Sequence, residues 1–308
     1  MTNVPQLAVD DLRPRARPGA PVGRPDRLSA ILGRVLNAVG RVSPRLAGRL
    51  ARELWRRPFV RGAVLPAERA VHDAARAGTI THAGRRVRTY SWGDGRRPVL
   101  LVHGWRSRAS RYSGLVSRLV DAGYSPVSYD APGHGSSGGR AGTILDHELV
   151  MKALAERHGP FEGVVAHSLA VPFALYAVRH GLPASRVVAV SGVGRFAYVT
   201  EGFATALGLR PEVAGELRRS IERGFFQGDT DIWRRFSADI PADCDVLVIH
   251  DTADRVVDPT QSQVITRAYG DRATYVTTTG LGHSRILGSE MVADAVLAFL
   301  DAGRRADA

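Results

Sequence analysis

VVAHSLAVPFALYAV, residues 164–178, joins two patterns without a break. A short apolar run reads as a buried strand, and the residues after Ser168 read as an apolar helix. No loop separates them, so Ser168 is forced onto a sharp strand-to-helix turn with its hydroxyl exposed above a sheet. The unpaired N–H groups of the new helix point into the same space, where they favour negative charge. Pro172 falls in the helix's first turn, where a missing N–H costs little.

Working outward, short β-rich runs alternate with longer helical ones from about residue 78. Strands are expected at 79–81, 87–91, 99–103, 125–130, 163–167, 187–191, 246–250 and 274–278. Several are continuously apolar (VLLV, VVAV, VLVI), as suits central parallel strands covered on both faces. Helices are expected at 108–122, 143–158, 169–181, 259–269 and 289–301. The alternation predicts an open α/β sheet. Residues 196–237 break the rhythm. They look helical, contain no clear strand, and read as a small helical lid over the carboxyl edge of the sheet.

Two further residues stand just after predicted strands. Asp254 follows the strand at 246–250, and His283 lies in a glycine-flanked loop after the strand at 274–278. The order Ser168, Asp254, His283 puts all three at the strand ends where ligands gather in open α/β sheets. A serine hydroxyl needs a base to take its proton as it attacks, and a histidine oriented by a carboxylate meets that need. Asp251 is the competing carboxylate. It stands closer to the strand end and has less reach, so Asp254 is favoured. At His103-Gly104-Trp105 another strand ends in a turn. The Trp105 N–H, paired with that of Leu169, is a candidate oxyanion donor.

HGW at 103–105, DAPGHGSS at 130–137, HSLA at 167–170, the Asp254 segment and GLGHS at 280–284 together resemble the ordered motifs of the α/β-hydrolase superfamily. The resemblance covers about residues 78–305. It implies a mainly parallel central sheet flanked by helices, a helical lid, a carboxylic-ester-type substrate and no cofactor. Members that open epoxides or displace halide use an aspartate nucleophile, so Ser168 argues against both activities. Cleavage of an ester, thioester or lactone through an acyl-enzyme is expected. Acyl transfer, C–C bond hydrolysis and a silent binding protein are the alternatives. The last is motivated by Ala166 and Ala170, which occupy the usual glycine positions of the elbow.

The residues around this site suggest what it takes. His103, Gly104, Arg106, Phe196, Phe225, Phe226 and Trp233 are candidate substrate contacts, favouring an apolar acyl or aromatic ester. Tyr198, Phe203 and Phe236 belong to the same aromatic set. His134 reads as a turn residue and His147 as a helix-surface one. The histidines lack metal-ligand spacing, so no metal is expected. Cys244 is the only cysteine and reads as a small buried hydrophobe.

The net charge of +12 is uneven, with 14 Arg against 5 Asp or Glu in residues 1–70. Residues 1–77 are read as a basic extension, unstructured over 1–27. Two amphipathic helices follow, the second capped by Ser43-Pro44. Their expected apolar faces are Leu28, Leu32, Val35, Leu36, Val39 and Val42, then Leu46, Leu50 and Leu54. The favoured reading packs these faces on the hydrolase core. Peripheral contact with an anionic membrane through residues 28–57 is the second reading. Nucleic-acid binding has charge as its only support, and none is expected. With no signal segment and no membrane span read from the sequence, a soluble cytoplasmic protein is the expectation.

Overall fold

The computed structural model describes residues 27–58 and 61–306. The expectation for residues 1–26 lies outside the described residues. Eight strands, β1 (Arg76–His82), β2 (Arg85–Ser91), β3 (Pro98–Val102), β4 (Ser125–Tyr129), β5 (Gly163–His167), β6 (Arg186–Val190), β7 (Asp245–Asp251) and β8 (Ala273–Thr278), form one sheet. Its order is β1-β2-β4-β3-β5-β6-β7-β8. The pairings from β4 to β8 are parallel, and β2 alone runs the other way, antiparallel to β1 and β4. All eight expected strands are present. The tight β1–β2 turn is made by Ala83 and Gly84, both at positive φ, as a two-residue hairpin requires.

Twelve helices occur among the described residues: α1 (Arg27–Val42), α2 (Pro44–Trp55), α3 (Arg69–Asp73), α4 (Ser113–Asp121), α5 (Ile144–His158), α6 (Ala170–Arg179), α7 (Ala197–Ala206), α8 (Pro211–Phe225), α9 (Ile232–Arg235), α10 (Thr260–Tyr269), α11 (Gly282–Arg285) and α12 (Glu290–Ala306). Helices α4 and α12 cover one sheet face, and α5, α6 and α10 the other. The alternation within β5 makes this concrete: Val164 and Ala166 enter the cluster with Met151, Leu154, Ala174 and Ile265, while Val165 enters that with Leu115, Leu119 and Val296. Each face of the sheet therefore has its own dry core, which is why the central strands are apolar throughout.

The β6–β7 connection carries α7, α8 and α9, with Phe196, Leu217, Ile221, Trp233 and Phe236 in a third apolar cluster. Contrary to expectation, α1 and α2 pack on these helices, not on the sheet core. Ser43 caps α2 by accepting from the Leu46 N–H at 3.3 Å. The buried side of α2 is Ala47, Gly48 and Ala51, whereas Leu46 and Leu50 face outward. The reason is close approach: a Cβ on Gly48 would stand 2.6 Å from the Glu216 backbone, and one on Gly33 would meet the Leu207 carbonyl. At these two contacts only glycine fits, while Leu36 is buried in the same apolar cluster. Asn37 locks it by donating to Gly208 O at 2.8 Å and accepting from Arg210 N at 2.9 Å.

Candidate active site

Ser168 follows β5 directly and takes φ +58°, a left-handed conformation that a non-glycine residue enters at a cost of about 1–2 kcal/mol. Three backbone bonds hold it there. Its N–H donates to Val190 O at 2.9 Å, and its carbonyl accepts from Val171 N at 3.1 Å and Val193 N at 3.3 Å. Ala166 and Ala170 are both fully buried, in the α5–α6 core.

His283 lies in α11, a single helical turn, where the sequence suggested only a loop. Its Nε2 is 3.1 Å from Ser168 Oγ and its Nδ1 2.8 Å from Asp254 Oδ2. A carboxylate can only accept, so Nδ1 carries the proton and Nε2 presents its lone pair to the serine hydroxyl. Asp254 is fixed from the other side by Val256 N and Val257 N, which donate to Oδ1 at 2.8 and 3.0 Å. His250 Nε2 stands 3.3 Å from Oδ2. Burial alone would raise the Asp254 pKa. The hydrogen bonds from His250 and His283 outweigh it and hold the carboxyl well below the usual range.

Asp251 is engaged elsewhere. It accepts from Ala253 N at 2.9 Å, Thr278 Oγ1 at 2.8 Å and Leu281 N at 3.0 Å. Despite burial, these donors lower its pKa to about 2. Asp251 thus ties the ends of β7 and β8 to the turn that delivers His283. His167 serves the same turn: its Nε2–H donates to the His283 carbonyl at 2.8 Å. Burial pushes its pKa down to about 3, so the ring stays neutral. The sequence marked neither role, because both depend on which backbone groups the folded turn leaves open.

Trp105 follows β3 and Leu169 follows Ser168, one on each side of the β3–β5 junction where the strand order reverses. Among the described residues neither N–H has a backbone acceptor. Glycine at 104 allows this close approach, since a Cβ there would lie 3.0 Å from both Ser168 Cβ and His167 O. His103 is buried beneath this loop. It accepts from Ala131 N at 2.9 Å and donates to Gly104 O at 2.8 Å, so it braces the turn and does not reach substrate space. The DAPGHGSS segment is built round buried Asp130, which accepts from Ala109 N, Ser136 N and Tyr90 Oη and faces Arg108 at 3.3 Å.

Above Ser168 opens a cavity of about 480 Å³ lined largely by apolar side chains. Phe196, Phe225 and Phe226 line it as expected, with Phe173, Tyr198 and Phe203. Trp233 does not. It is buried against Phe196, and its Nε1–H donates to Glu222 Oε1 at 2.6 Å. Arg106 is exposed outside the cavity. His147 corrects the surface reading: it is buried between Tyr129, whose hydroxyl is 2.8 Å from Nδ1, and Phe173. Two wall residues, Trp55 and Arg56, come from the end of α2, which nothing in the sequence tied to the site. Among the described residues, no group of three or more His, Cys, Asp or Glu side chains could hold a metal ion.

Residues 99–297 match the family model described as the alpha/beta hydrolase family. Similar solved structures include alpha/beta hydrolase domain-containing protein 10 from mouse (14% identity, TM-score 0.58, 76% of this chain and 100% of that one). Others are the monoacylglycerol lipase of Paleococcus ferrophilus (22%, 0.54, 70% and 98%) and the esterase RhEst1 of Rhodococcus sp. ECU1013 (16%, 0.56, 74% and 98%). At such identities they speak for the fold alone. A curated relative, the non-heme chloroperoxidase CPO-A1 of Kitasatospora aureofaciens, is 37% identical over 57 residues, 18% of this chain and only 20% of that protein. With the sheet order and the strand-end site already described, the match over residues 99–297 means that this chain belongs to the alpha/beta hydrolase family.

Proposed function

We propose that the chain is a serine hydrolase that cleaves a carboxylic ester, thioester or lactone through an acyl-enzyme on Ser168. The observation that carries this reading is the unbroken relay Asp254–His283–Ser168, with 2.8 and 3.1 Å links, opening into an apolar cavity. Ser168 Oγ attacks the acyl carbonyl while its proton passes to His283 Nε2. The carbonyl oxygen becomes an oxyanion, received by the N–H groups of Trp105 and Leu169. Asp254 stabilises the imidazolium, which then gives its proton to the leaving oxygen or sulfur. Water repeats the sequence and frees the acid. The aromatic lining favours an apolar acyl or aromatic substrate, under a lid formed by α7 to α9.

The test is hydrolysis of p-nitrophenyl esters of increasing acyl length by wild type and Ser168→Ala, with fluorophosphonate labelling alongside. Wild type should turn over and label. The variant should do neither, losing about four orders of magnitude or more in kcat. A folded wild type that neither labels nor turns over would defeat the proposal in favour of a binding protein.

A further inference from the structure

Helices α1 and α2, joined at Ser43, form a pair whose outer side has no partner among the described residues. Leu28, Ile31, Val35, Val42, Leu46 and Leu50 lie there, six of the eleven large apolar side chains exposed among the described residues. Val42 is 90% exposed and Leu28 64%. They are not scattered. On α1, Leu28, Val35 and Val42 recur every seven residues, so they form one row along the helix. Arg27, Arg34 and Arg41 each precede one of them and form a second row beside it; Arg45 and Arg49 repeat the arrangement next to Leu46 and Leu50. All five arginines are exposed, and among the described residues none has an ion-pair partner. Helix α1 has no acidic residue, and α2 has only Glu53, which is bound to Arg52 and Arg56.

We propose that this helix pair seats on an anionic lipid surface and that the substrate is an acyl ester drawn from that surface. The second half rests on the serine hydrolase reading. A row of aliphatic side chains flanked by a row of unpaired cations fits a boundary with hydrocarbon on one side and phosphate on the other. A second copy of the chain does not fit. A symmetric contact sets the same patch against itself, which would bring arginine against arginine. Residues 1–26 carry four Arg against three Asp, so they bring no net negative charge to the face. The link to the cavity lies along one helix. Leu50 precedes Trp55 by five residues, about 7.5 Å of helix rise, and Trp55 with Arg56 lines the cavity that holds Ser168. Phe225, another wall residue of the cavity, is flanked by Arg52 and Arg56 at 5.2 and 5.6 Å, so the end of the same helix shapes the site.

The experiment uses the full chain carrying Ser168→Ala, so that binding is read without turnover. It measures flotation with vesicles of phosphatidylcholine alone or mixed with phosphatidylglycerol. Binding should require the anionic lipid and weaken with salt. Arg34→Gln/Arg41→Gln/Arg45→Gln should weaken it about a hundredfold, at about fivefold per charge. Leu28→Ser/Val35→Ser/Val42→Ser should do so by at least tenfold. All six positions are exposed, and an unchanged circular dichroism spectrum checks the fold. In the Ser168 chain, both sets should slow hydrolysis of a long-chain p-nitrophenyl ester held in anionic vesicles and leave p-nitrophenyl butyrate unaffected. Absence of binding by the parent chain, equal binding to neutral vesicles, or variants that bind like the parent would each overturn the docking surface. Concentration-dependent dimerisation abolished by the arginine set, without vesicle binding, would assign the face to a second copy and overturn it as well. If vesicles bind but neither ester is cleaved, the docking stands and the hydrolase reading, with substrate delivery, falls. If butyrate is cleaved and no vesicle binds, the failure is confined to the docking.

Discussion

Replacing Asp254 by asparagine should stop catalysis through a single proton, and the structure says why. Val256 N and Val257 N both donate to Asp254 Oδ1. Two donors fix an acceptor at that position, so in Asp254→Asn the amide oxygen must stay there. The amide nitrogen is then directed at His283 Nδ1, where Oδ2 stood at 2.8 Å. Two N–H donors cannot face each other, so His283 takes the opposite tautomer, with its proton on Nε2. That nitrogen is 3.1 Å from Ser168 Oγ and can no longer accept the serine proton. A wrong-tautomer histidine of this kind costs about 10⁴-fold in kcat, or about 5.5 kcal/mol at 1.36 kcal/mol per decade. The amide is isosteric, so KM should change little, while its second N–H faces His250 Nε2, which stood 3.3 Å from Oδ2, and costs some stability. Steady-state kinetics on p-nitrophenyl butyrate, with circular dichroism as the control, would read the effect. Asp251→Asn should behave differently, since its carboxylate holds the turn before His283 and does not touch the ring. It should lose stability, about 1.5–3 kcal/mol for a charge-assisted bond removed, and keep far more of its kcat. If folded Asp254→Asn stays within tenfold of wild type while Asp251→Asn loses a thousandfold, the assignment of the orienting carboxylate is wrong.

Two more outcomes follow from the same geometry. His134, His147 and His167 are pushed by burial to pKa values of about 4, 3 and 3, while in the unfolded chain each titrates near 6.5. The unfolded state therefore binds their protons first. Their contribution is whole above about pH 6.5 and is lost as pH falls toward 3, at about 1.4 kcal/mol per unit for each ring. Urea midpoints measured from pH 7.5 to 4 should show this slope. His147→Leu should flatten it by one ring's share while lowering stability at pH 7.5; an unchanged slope would refute the account. Gly104→Ala places a methyl 3.0 Å from Ser168 Cβ and His167 O, closer than carbon contacts settle at. The Trp105 N–H must shift, and losing one oxyanion donor costs about 10²–10³-fold in kcat. Kinetics with KM unchanged would fit that reading, and full activity would remove Trp105 from the oxyanion role.

The sheet was legible because its signal is local. Each central strand is a short apolar run closed by a turn, and both cores need that composition. The ends of β5, β7 and β8 were legible for the same reason, so Ser168, Asp254 and His283 could be named in order. Partner choice was not legible. The periodicity of α2 marks Leu46, Leu50 and Leu54 as its apolar face, yet of these only Leu54 packs on the apolar cluster and the fully buried side is Ala47, Gly48 and Ala51, because close helix approach selects for size and not hydropathy. His147, flanked by Asp146 and Glu148, reads as exposed, but α5 turns it toward Tyr129 and Phe173. The aromatic ring of Trp233 suggests a substrate contact. Its N–H needed a buried acceptor, and Glu222 took it out of the cavity.

The alanine elbow poses a different question, since a crowded turn usually calls for glycine on both sides of the nucleophile. Ala166 and Ala170 instead place their methyl groups in the core between β5, α5 and α6, where both are fully buried. There they fill volume that glycine would leave empty, at roughly 0.8 kcal/mol per buried carbon. The demand for an absent side chain is met across the cleft at Gly104, which abuts Ser168 and His167. The strain stays on Ser168 itself, at φ +58°, and three backbone hydrogen bonds hold it. The departure from the glycine pattern therefore alters what packs behind Ser168 without removing the turn that exposes its hydroxyl, so the two alanines are no reason to expect a silent site.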